Sequence, residues 1–181
     1  LGSGTTVNGS ISVGDNGDKV AVTKDKSVSV AAPNGYKWVD GENGQTLAKI
    51  VMVAEVNGKQ YETLQEAIDA ASKNQTVKLI ADTTENVTMK TPYLTLDLNG
   101  HTLNGGQVKG TPALTVTARV TVKDTSAEQT GTIMREDTAD NSGVSSHYVI
   151  DIQGNGWLTF ESGNVTNNSG VVGVKGASLV R

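Results

Sequence analysis

The stretch Leu94-Thr-Leu-Asp-Leu-Asn-Gly100 decides the fold, because its form recurs twice further along the chain. An apolar residue, a threonine, a second apolar residue and a polar residue lead into a turn, here and in Val120-Thr-Val-Lys-Asp124 and Leu158-Thr-Phe-Glu-Ser-Gly163. The three starts lie 26 and then 38 residues apart, and the longer gap holds a polar stretch, 135–147, that we interpret as an inserted loop. A short strand recurring at such intervals is typical of a solenoid.

The repeat therefore predicts a mostly β protein built as a right-handed parallel β-helix, in which each coil hydrogen-bonds to its neighbours around a narrow core. The composition agrees, since apolar residues make up 36% of the chain and aromatic residues only 4%. An antiparallel β-sandwich is the alternative, because it also consists of short strands separated by Gly-rich turns. We favour the β-helix because of the repeat.

Residues 63–73 predict the one α-helix of the chain. Thr63 and Glu66 have the spacing of a capping box, in which each residue satisfies a backbone N–H of the other. Leu64 and Ile68 lie one turn apart and begin an apolar stripe. We expect this helix to cap the N-terminal end of the β-helix, where its stripe would cover apolar edges.

Three segments resemble a known family. They are Val53-Ala-Glu-Val-Asn-Gly-Lys-Gln-Tyr-Glu-Thr-Leu-Gln-Glu-Ala-Ile-Asp-Ala-Ala71, Leu94-Thr-Leu-Asp-Leu-Asn-Gly-His-Thr-Leu103 and Gly156-Trp-Leu-Thr-Phe-Glu-Ser-Gly163. Together they are similar to the pectate-lyase-like right-handed β-helix modules of adhesin-like surface proteins in gut bacteria, especially Firmicutes. The resemblance covers roughly residues 50–170 and is more specific for fold than for function.

The resemblance implies a non-catalytic module of a secreted or cell-surface bacterial protein that binds a host glycan or a host surface protein. Such modules usually occur in tandem, so adjacent modules of the same chain are expected partners. On this interpretation residues 1–50 are a β-segment, either the end of a preceding module or a linker. Residues 51–181 are the β-helix domain, cut short at its C-terminal end.

Composition and charge exclude several other functions. The formal net charge is −4 and both signs are scattered, so there is no basic patch for nucleic acid. No apolar run is long enough for membrane insertion. The chain has no cysteine, which removes disulfides and thiolate metal ligands.

A carbohydrate-active enzyme, either a polysaccharide lyase or a glycoside hydrolase, is the alternative function. Arg135, Asp137 and Asp140 form the most compact grouping of a base with acids, although we favour a solvated loop of mixed charge there. Asp97 and Asp124 follow two of the repeated strands, and we expect structural or solvent-facing roles for them. Convergence of these residues in one groove would favour the enzyme.

A purely structural stalk, the third possibility, predicts neither a groove nor an aromatic patch.

Candidate ligand-binding residues are Trp157, Tyr148 and Asp151. An exposed aromatic ring suits the C–H face of a pyranose, and a carboxylate suits a sugar hydroxyl. Trp157 begins a repeated strand, so it is either an exposed platform or, in the interpretation that we favour, a cover for the narrow core.

Two further turns carry a structural or metal interpretation. Asn99 and Gly100 form an Asn-Gly turn, where we expect the asparagine amide to satisfy backbone groups. Gly14-Asp-Asn-Gly-Asp18 resembles a fragment of a Ca²⁺ loop, with Asp15 and Asp18 as ligands. A plain hairpin turn is favoured there, so no cofactor is expected, with Ca²⁺ as the alternative.

Overall fold

The computed structural model describes residues 2, 22–42, 44–105, 110–135, 148–167, 174–175 and 179–180. The chain divides into two compact units, Leu1–Val51 and Met52–Arg181.

The first unit holds one antiparallel sheet in its described part. Its strands are β1 (Thr23–Lys24), β2 (Tyr36–Gly41) and β3 (Gly44–Lys49), in the order β1-β3-β2. Lys24 is buried, and its Nζ donates a hydrogen bond of 2.8 Å to the Val28 carbonyl while lying 5.3 Å from the ring centroid of Trp38. The buried ammonium group is thus held by a carbonyl and a π face.

The second unit contains the helix and the remaining described strands. These are β4 (Ala54–Val56), β5 (Lys59–Tyr61), α1 (Leu64–Ala70), β6 (Thr76–Leu79), β7 (Thr83–Thr84), β8 (Val87–Met89), β9 (Leu94–Asp97), β10 (Thr102–Asn104), β11 (Leu114–Val116), β12 (Arg119–Lys123), β13 (Thr132–Arg135), β14 (Ile150–Ile152), β15 (Trp157–Phe160), β16 (Asn164–Asn167), β17 (Val174–Lys175) and β18 (Leu179–Val180).

Successive strands of this unit belong to three different sheets in turn. The orders are β16-β13-β10-β7, β17-β14-β11-β8 and β18-β15-β12-β9-β6-β4-β5. From β6 to β15, each strand pairs in parallel with the strand three places later. The repeated motif pairs with itself, because Leu94 lies opposite Val120 and Val120 lies opposite Leu158.

The prediction of a right-handed parallel β-helix is wrong. The strands form four separate sheets, which include antiparallel as well as parallel pairs, and none is closed into a solenoid. The arrangement is mostly β with one helix and fits a sandwich-like or mixed α/β fold. A repeat predicts which strands pair, but it does not predict closure. Between β7 and β8, the Asn86 amide donates hydrogen bonds to the Gly105 and Pro112 carbonyls at 2.6 and 3.0 Å, so a side chain satisfies the backbone at this turn.

Alternating side chains of the parallel strands build one apolar core. In β12 the residues Val120 and Val122 are buried, while Arg119 and Thr121 point to the other side. This period of two places the apolar members of each repeat inward. The largest fully buried apolar side chains of the unit are Leu64, Ile68, Leu79, Met89, Leu94, Leu96, Leu98, Leu103, Leu114, Ile133 and Ile150.

The helix α1 is shorter than the predicted range 63–73. Thr63 is the N-cap, and its Oγ1 accepts a hydrogen bond of 3.2 Å from the backbone N–H of Glu66. Leu64 and Ile68 are completely buried. The backbone turns to an extended conformation at Ala71, and there its N–H bonds to the Ile68 carbonyl, which ends the helix.

Two polar side chains tie the start of α1 to the sheets. The Glu85 carboxylate accepts the backbone N–H groups of Leu64 at 2.8 Å and Gln65 at 3.2 Å, which are donors without partners inside a helix. The Gln65 amide in turn accepts from the Thr88 N–H at 2.7 Å and donates to the Thr88 carbonyl at 3.2 Å. Because β8 is the edge strand of its sheet, the Gln65 side chain replaces a neighbouring strand at this point.

Candidate functional site

The starts of β9, β12 and β15 lie side by side on the seven-stranded sheet. Arg119 and Trp157 are the first residues of β12 and β15 and lie opposite each other. Tyr93 comes directly before β9, and its N–H donates to the Arg119 carbonyl. Three neighbouring strands therefore present a tyrosine, an arginine and a tryptophan in register.

Positive groups and rings alternate along this line. The Lys73 ammonium lies 4.7 Å from the ring centroid of Tyr93. The Arg119 guanidinium carbon lies 5.9 Å from the Tyr93 centroid and 5.4 Å from the Trp157 centroid. These distances are within the range of cation–π attraction. We call Lys73, Tyr93, Arg119 and Trp157 the cation–aromatic row.

The row is exposed to solvent. Tyr93 is 48% exposed and Trp157 37% exposed, and both appear among the exposed large hydrophobic residues of the described chain. Lys73 and Arg119 are also exposed. Because neighbouring strands lie about 4.8 Å apart, the two rings are about 10 Å apart with the guanidinium between them.

The backbone at Tyr93 is unusual for a tyrosine. Its φ is 59°, in the left-handed region, which costs a non-glycine residue of order 1–3 kcal/mol. Pro92 precedes it, and a proline followed by a residue of positive φ is the pattern of a type II turn. Glycine would adopt this positive φ at a lower conformational cost. The chain instead has a tyrosine here, and the strained backbone exposes its aromatic ring.

The structure separates the three predicted ligand-binding residues. Trp157 lies in the cation–aromatic row and is exposed, which favours the interpretation as a platform, while the long loop that it was expected to pack against lies outside the described residues. Asp151 is in the middle of β14, in a different sheet, and accepts a hydrogen bond of 2.8 Å from Gln153 Nε2. Tyr148 is half-buried and precedes the buried Val149. Trp157 is thus grouped with Tyr93 and Arg119.

The sequence contains a signal for this grouping. Tyr93, Arg119 and Trp157 are the residues directly before Leu94, Val120 and Leu158, the first members of the repeated motif. Aligning the repeats one residue further toward the N-terminus would have placed the three side chains in one column. Lys73 reaches the row from the segment between α1 and β6, and no pattern in the sequence points to it.

Arg135 does not lie in the solvated loop that we expected for the candidate catalytic grouping. This residue ends β13 opposite Asn167, and it is only 1% exposed. The loop prediction was wrong for this residue because the polar residues after it hid the pattern of a strand. In strand 132–135, buried and partly exposed side chains alternate. Asp137 and Asp140 lie outside the described residues. A guanidinium this deeply buried does not reach a polysaccharide in solvent.

Asp97 is occupied by the protein's own backbone. It is 4% exposed, and its Oδ1 accepts the N–H groups of Asn99 and Thr125, both at 3.0 Å. Its Oδ2 accepts the Thr125 hydroxyl at 2.6 Å. Asn99, predicted to satisfy backbone groups, donates from its amide to the Leu79 carbonyl at 2.9 Å. These bonds join the turns that follow β6, β9 and β12.

Asp124 has the same role one strand later. It is 2% exposed and accepts the backbone N–H groups of Gly100 and Ser126, both at 2.9 Å, and of Gly131. Burial alone raises the pKa of this carboxyl, but the hydrogen bonds from Ser126, Gly131 and Gly100 outweigh burial and hold the pKa below its ordinary value of 3.8. A Cβ on Gly131 would lie 2.6 Å from Asp124 Oδ2, so the turn requires a glycine there.

The alternative Ca²⁺ ligands of the sequence analysis, Asp15 and Asp18, lie outside the described residues. Within the described ranges, no group of three or more His, Asp or Glu side chains is placed to hold a metal ion. In the same ranges no helix has the length and apolarity needed to cross a membrane.

A concave surface apart from the row is lined by residues of β5 and α1. It is an open groove of about 510 Å³ with mixed charge. Lys59 Nζ lies within it, 4.9 Å from the ring centroid of Tyr61. The lining residues are Met52, Lys59, Gln60, Tyr61, Glu62, Glu66 and Asp69.

Comparison with protein-family models, with curated proteins and with solved structures found no match for this chain. The resemblance to pectate-lyase-like surface modules therefore stays a prediction. The geometry of the cation–aromatic row is the observation on which a function can be argued.

Proposed function

We propose that this chain is a non-catalytic module that binds a glycan through the cation–aromatic row. The observation that carries the proposal is the alternation of two exposed rings with two cations along neighbouring strands. A ring packs against the C–H face of a pyranose, and the adjacent N–H groups donate hydrogen bonds to its hydroxyls. Carbohydrate recognition needs both kinds of contact, and the row supplies them together.

The rigidity of the row supports the same function. Each member except Lys73 is held by a strand or by the turn that enters it, and the strands are paired in register. A site on sheet strands loses little conformational entropy when ligand binds, because its backbone is already ordered. The strain at Tyr93 also fits a functional site, since strained residues are concentrated at such sites.

The positions of the candidate catalytic residues support a binding role over an enzymatic one. Asp97 and Asp124 face into turns of the seven-stranded sheet, where they accept backbone N–H groups. Arg135 is buried in a second sheet and Asp151 lies in a third. These groups do not converge in one groove, so a lyase that uses them together is not supported. The aromatic row is likewise unexpected for a purely structural stalk.

The proposed setting is the surface of a bacterial cell or its surroundings, with a host glycan as partner. This part of the proposal depends on the sequence resemblance alone. The row itself would suit any glycan that reaches it, and its exposure requires no opening of the protein.

The test is a glycan-array screen followed by titration calorimetry with the best ligand. We expect Trp157→Ala to weaken binding at least about tenfold, which corresponds to about 1.4 kcal/mol. Trp157→Phe keeps an aromatic face and should retain most of the affinity. Tyr148→Ala is the matched control, because it removes a half-buried tyrosine in a segment that leads into another sheet. Equal affinity of wild type and Trp157→Ala, or loss of binding only in Tyr148→Ala, would contradict the proposal.

A further inference from the structure

The outward face of the seven-stranded sheet consists of three parallel columns that run across the strands. The first column is Tyr93, Arg119 and Trp157, continued by the Lys73 ammonium over the Tyr93 ring. The second column, two residues further along each strand, is a ladder of threonines: Thr76, Thr95, Thr121 and Thr159. The third column, two residues further again, consists mainly of charged residues.

Charges in the third column balance each other. Glu55 lies opposite Lys78, Lys78 opposite Asp97, and Asp97 opposite Lys123. Glu161 follows β15, whose Phe160 pairs with Val122, so it continues the column beyond Lys123. Acid and base alternate at every step, and opposite charges across neighbouring strands attract each other. This column therefore presents little net charge to a ligand.

The first column is different, because within the described residues no acid lies in register with its positive charges. Its members are a tyrosine, an arginine and a tryptophan, with a lysine at one end. The cations lie over rings, and a ring face attracts a cation without neutralising its charge. A line of uncompensated positive charge thus runs beside the hydroxyls of the threonine ladder.

From this contrast we infer that the glycan bound by the row is anionic, and that it lies across the strands along the first two columns. Its carboxylate or sulfate groups pair with Arg119 and Lys73, its sugar rings stack on Tyr93 and Trp157, and its hydroxyls contact the threonine ladder. A guanidinium suits such groups because its planar N–H donors match two oxygens of one anion. The spacing of the strands, about 4.8 Å, is comparable with the length of one sugar unit, so successive sugars meet successive strands. This inference rests on the proposed function.

The test uses three linear hexasaccharides as probes: a neutral β-1,4-glucan, a polyuronate and a sulfated galactan. We expect the wild-type chain to bind at least one of the anionic probes at least about tenfold more tightly than the neutral probe. Preference for the uronate or for the sulfated probe identifies the anionic group, and either preference supports the inference. The affinity for the anionic probe should fall as ionic strength rises from about 0.01 M to 0.15 M, because the screening length shortens from about 30 Å to 8 Å.

Two charge-removing variants on the same strand separate the columns. Arg119→Gln should lower the affinity for the anionic probe at least about tenfold. It should lower the affinity for the neutral probe by a smaller factor, because glutamine keeps an N–H donor for hydroxyls but loses the charge. Lys123→Gln, the matched control from the balanced column of β12, should leave both affinities within about twofold. Arg119→Lys keeps the charge without the planar donors and should recover part of the loss. Thermal unfolding of each variant shows that the fold is retained.

Failure of the inference is distinguishable from failure of the proposed function. If the neutral probe binds as tightly as the anionic probes and Trp157→Ala abolishes that binding, the row binds glycans but the anionic preference is wrong. An equal loss in Arg119→Gln and Lys123→Gln would point to the general charge of the face and would also overturn the inference. Binding of no probe at any concentration would overturn it together with the proposed function.

Discussion

The strands β9, β12 and β15 carry opposite kinds of polar chemistry at their two ends. At their starts, Tyr93, Arg119 and Trp157 are exposed to solvent. Asp97 at the other end of β9 and Asp124 directly after β12 are buried and bound to backbone N–H groups. The parallel register stacks the exposed set, whereas Asp97 lies opposite Lys123 and Asp124 lies one residue further along. Register alone does not distinguish a binding surface from a structural element. Burial and hydrogen-bond partners do.

The two ends also differ in energetic weight. Hydrogen bonds to a charged group contribute roughly 1.5–3 kcal/mol each, and Asp124 accepts three from the backbone. A cation–π contact at an exposed site contributes about 0.5–1 kcal/mol. The buried end therefore holds the fold together, whereas the exposed end can change without unfolding it. Mutations at the two ends should separate stability from binding.

The largest effect is expected at Asp124. Asp124→Ala removes the acceptor of three backbone N–H groups around a buried turn, and it should lower the free energy of unfolding by about 3 kcal/mol or more. Urea denaturation followed by circular dichroism measures this. Asp151→Ala is the control, because that carboxylate is only half-buried and its hydrogen bond from Gln153 is exposed, so the loss should stay below about 1 kcal/mol. Equal losses in the two variants would contradict the assignment.

A smaller change in the free energy of unfolding is expected when the pH is lowered. The folded pKa of Asp124 lies below 3.8, while an unfolded aspartate titrates near about 3.9. A lowered folded pKa means that the carboxylate stabilises the fold fully above the unfolded pKa, and that this contribution disappears as the pH falls through the folded pKa. The stability difference between wild type and Asp124→Asn should therefore be constant from pH 7 to about pH 5 and narrow below about pH 4. A difference that stays constant down to pH 2 would show that this carboxyl does not titrate between the folded and unfolded states.

The smallest effect on stability is expected at the exposed end. Tyr93→Asn removes a ring but keeps a residue type that tolerates a positive φ, so the free energy of unfolding should change by less than about 1 kcal/mol. The same denaturation experiment checks this, with Tyr61→Asn as a comparison at a residue packed against the core. A loss as large as that of Asp124→Ala would mean that the row is a structural element and would weaken the binding proposal.

Local features of the fold could be predicted from the sequence where short-range physics decides them. Thr63 starts the helix because its hydroxyl replaces a missing backbone acceptor, and Leu64 and Ile68 are buried because the helical period places them together. The repeated motif predicts pairing, and Leu94, Val120 and Leu158 are paired in register. Strand 132–135 was missed because a buried arginine and the polar residues after it resemble a loop.

Long-range contacts could not be predicted in the same way. Glu85 caps the helix from 20 residues away, and nothing in the local pattern marks it as a capping residue. Lys73 reaches the cation–aromatic row only because the segment after α1 passes beside the start of β9. Among the residues proposed to bind ligand, Trp157 was identified because an aromatic residue at a strand start is conspicuous. Arg119 was not identified, because its place in one column with Trp157 is seen only when the repeats are aligned one residue further toward the N-terminus.

By itself, the sequence determined the alternation of apolar residues, the turns and the repeat, because side-chain period and turn geometry depend on a few neighbouring residues. The tertiary structure alone decided that the strands form four separate sheets, that Asp97 and Asp124 are buried, and that rings and cations meet at the opposite strand ends. The physical reason is that burial and charge partners depend on which strands lie side by side. That arrangement is set by packing of the whole chain and not by any one segment.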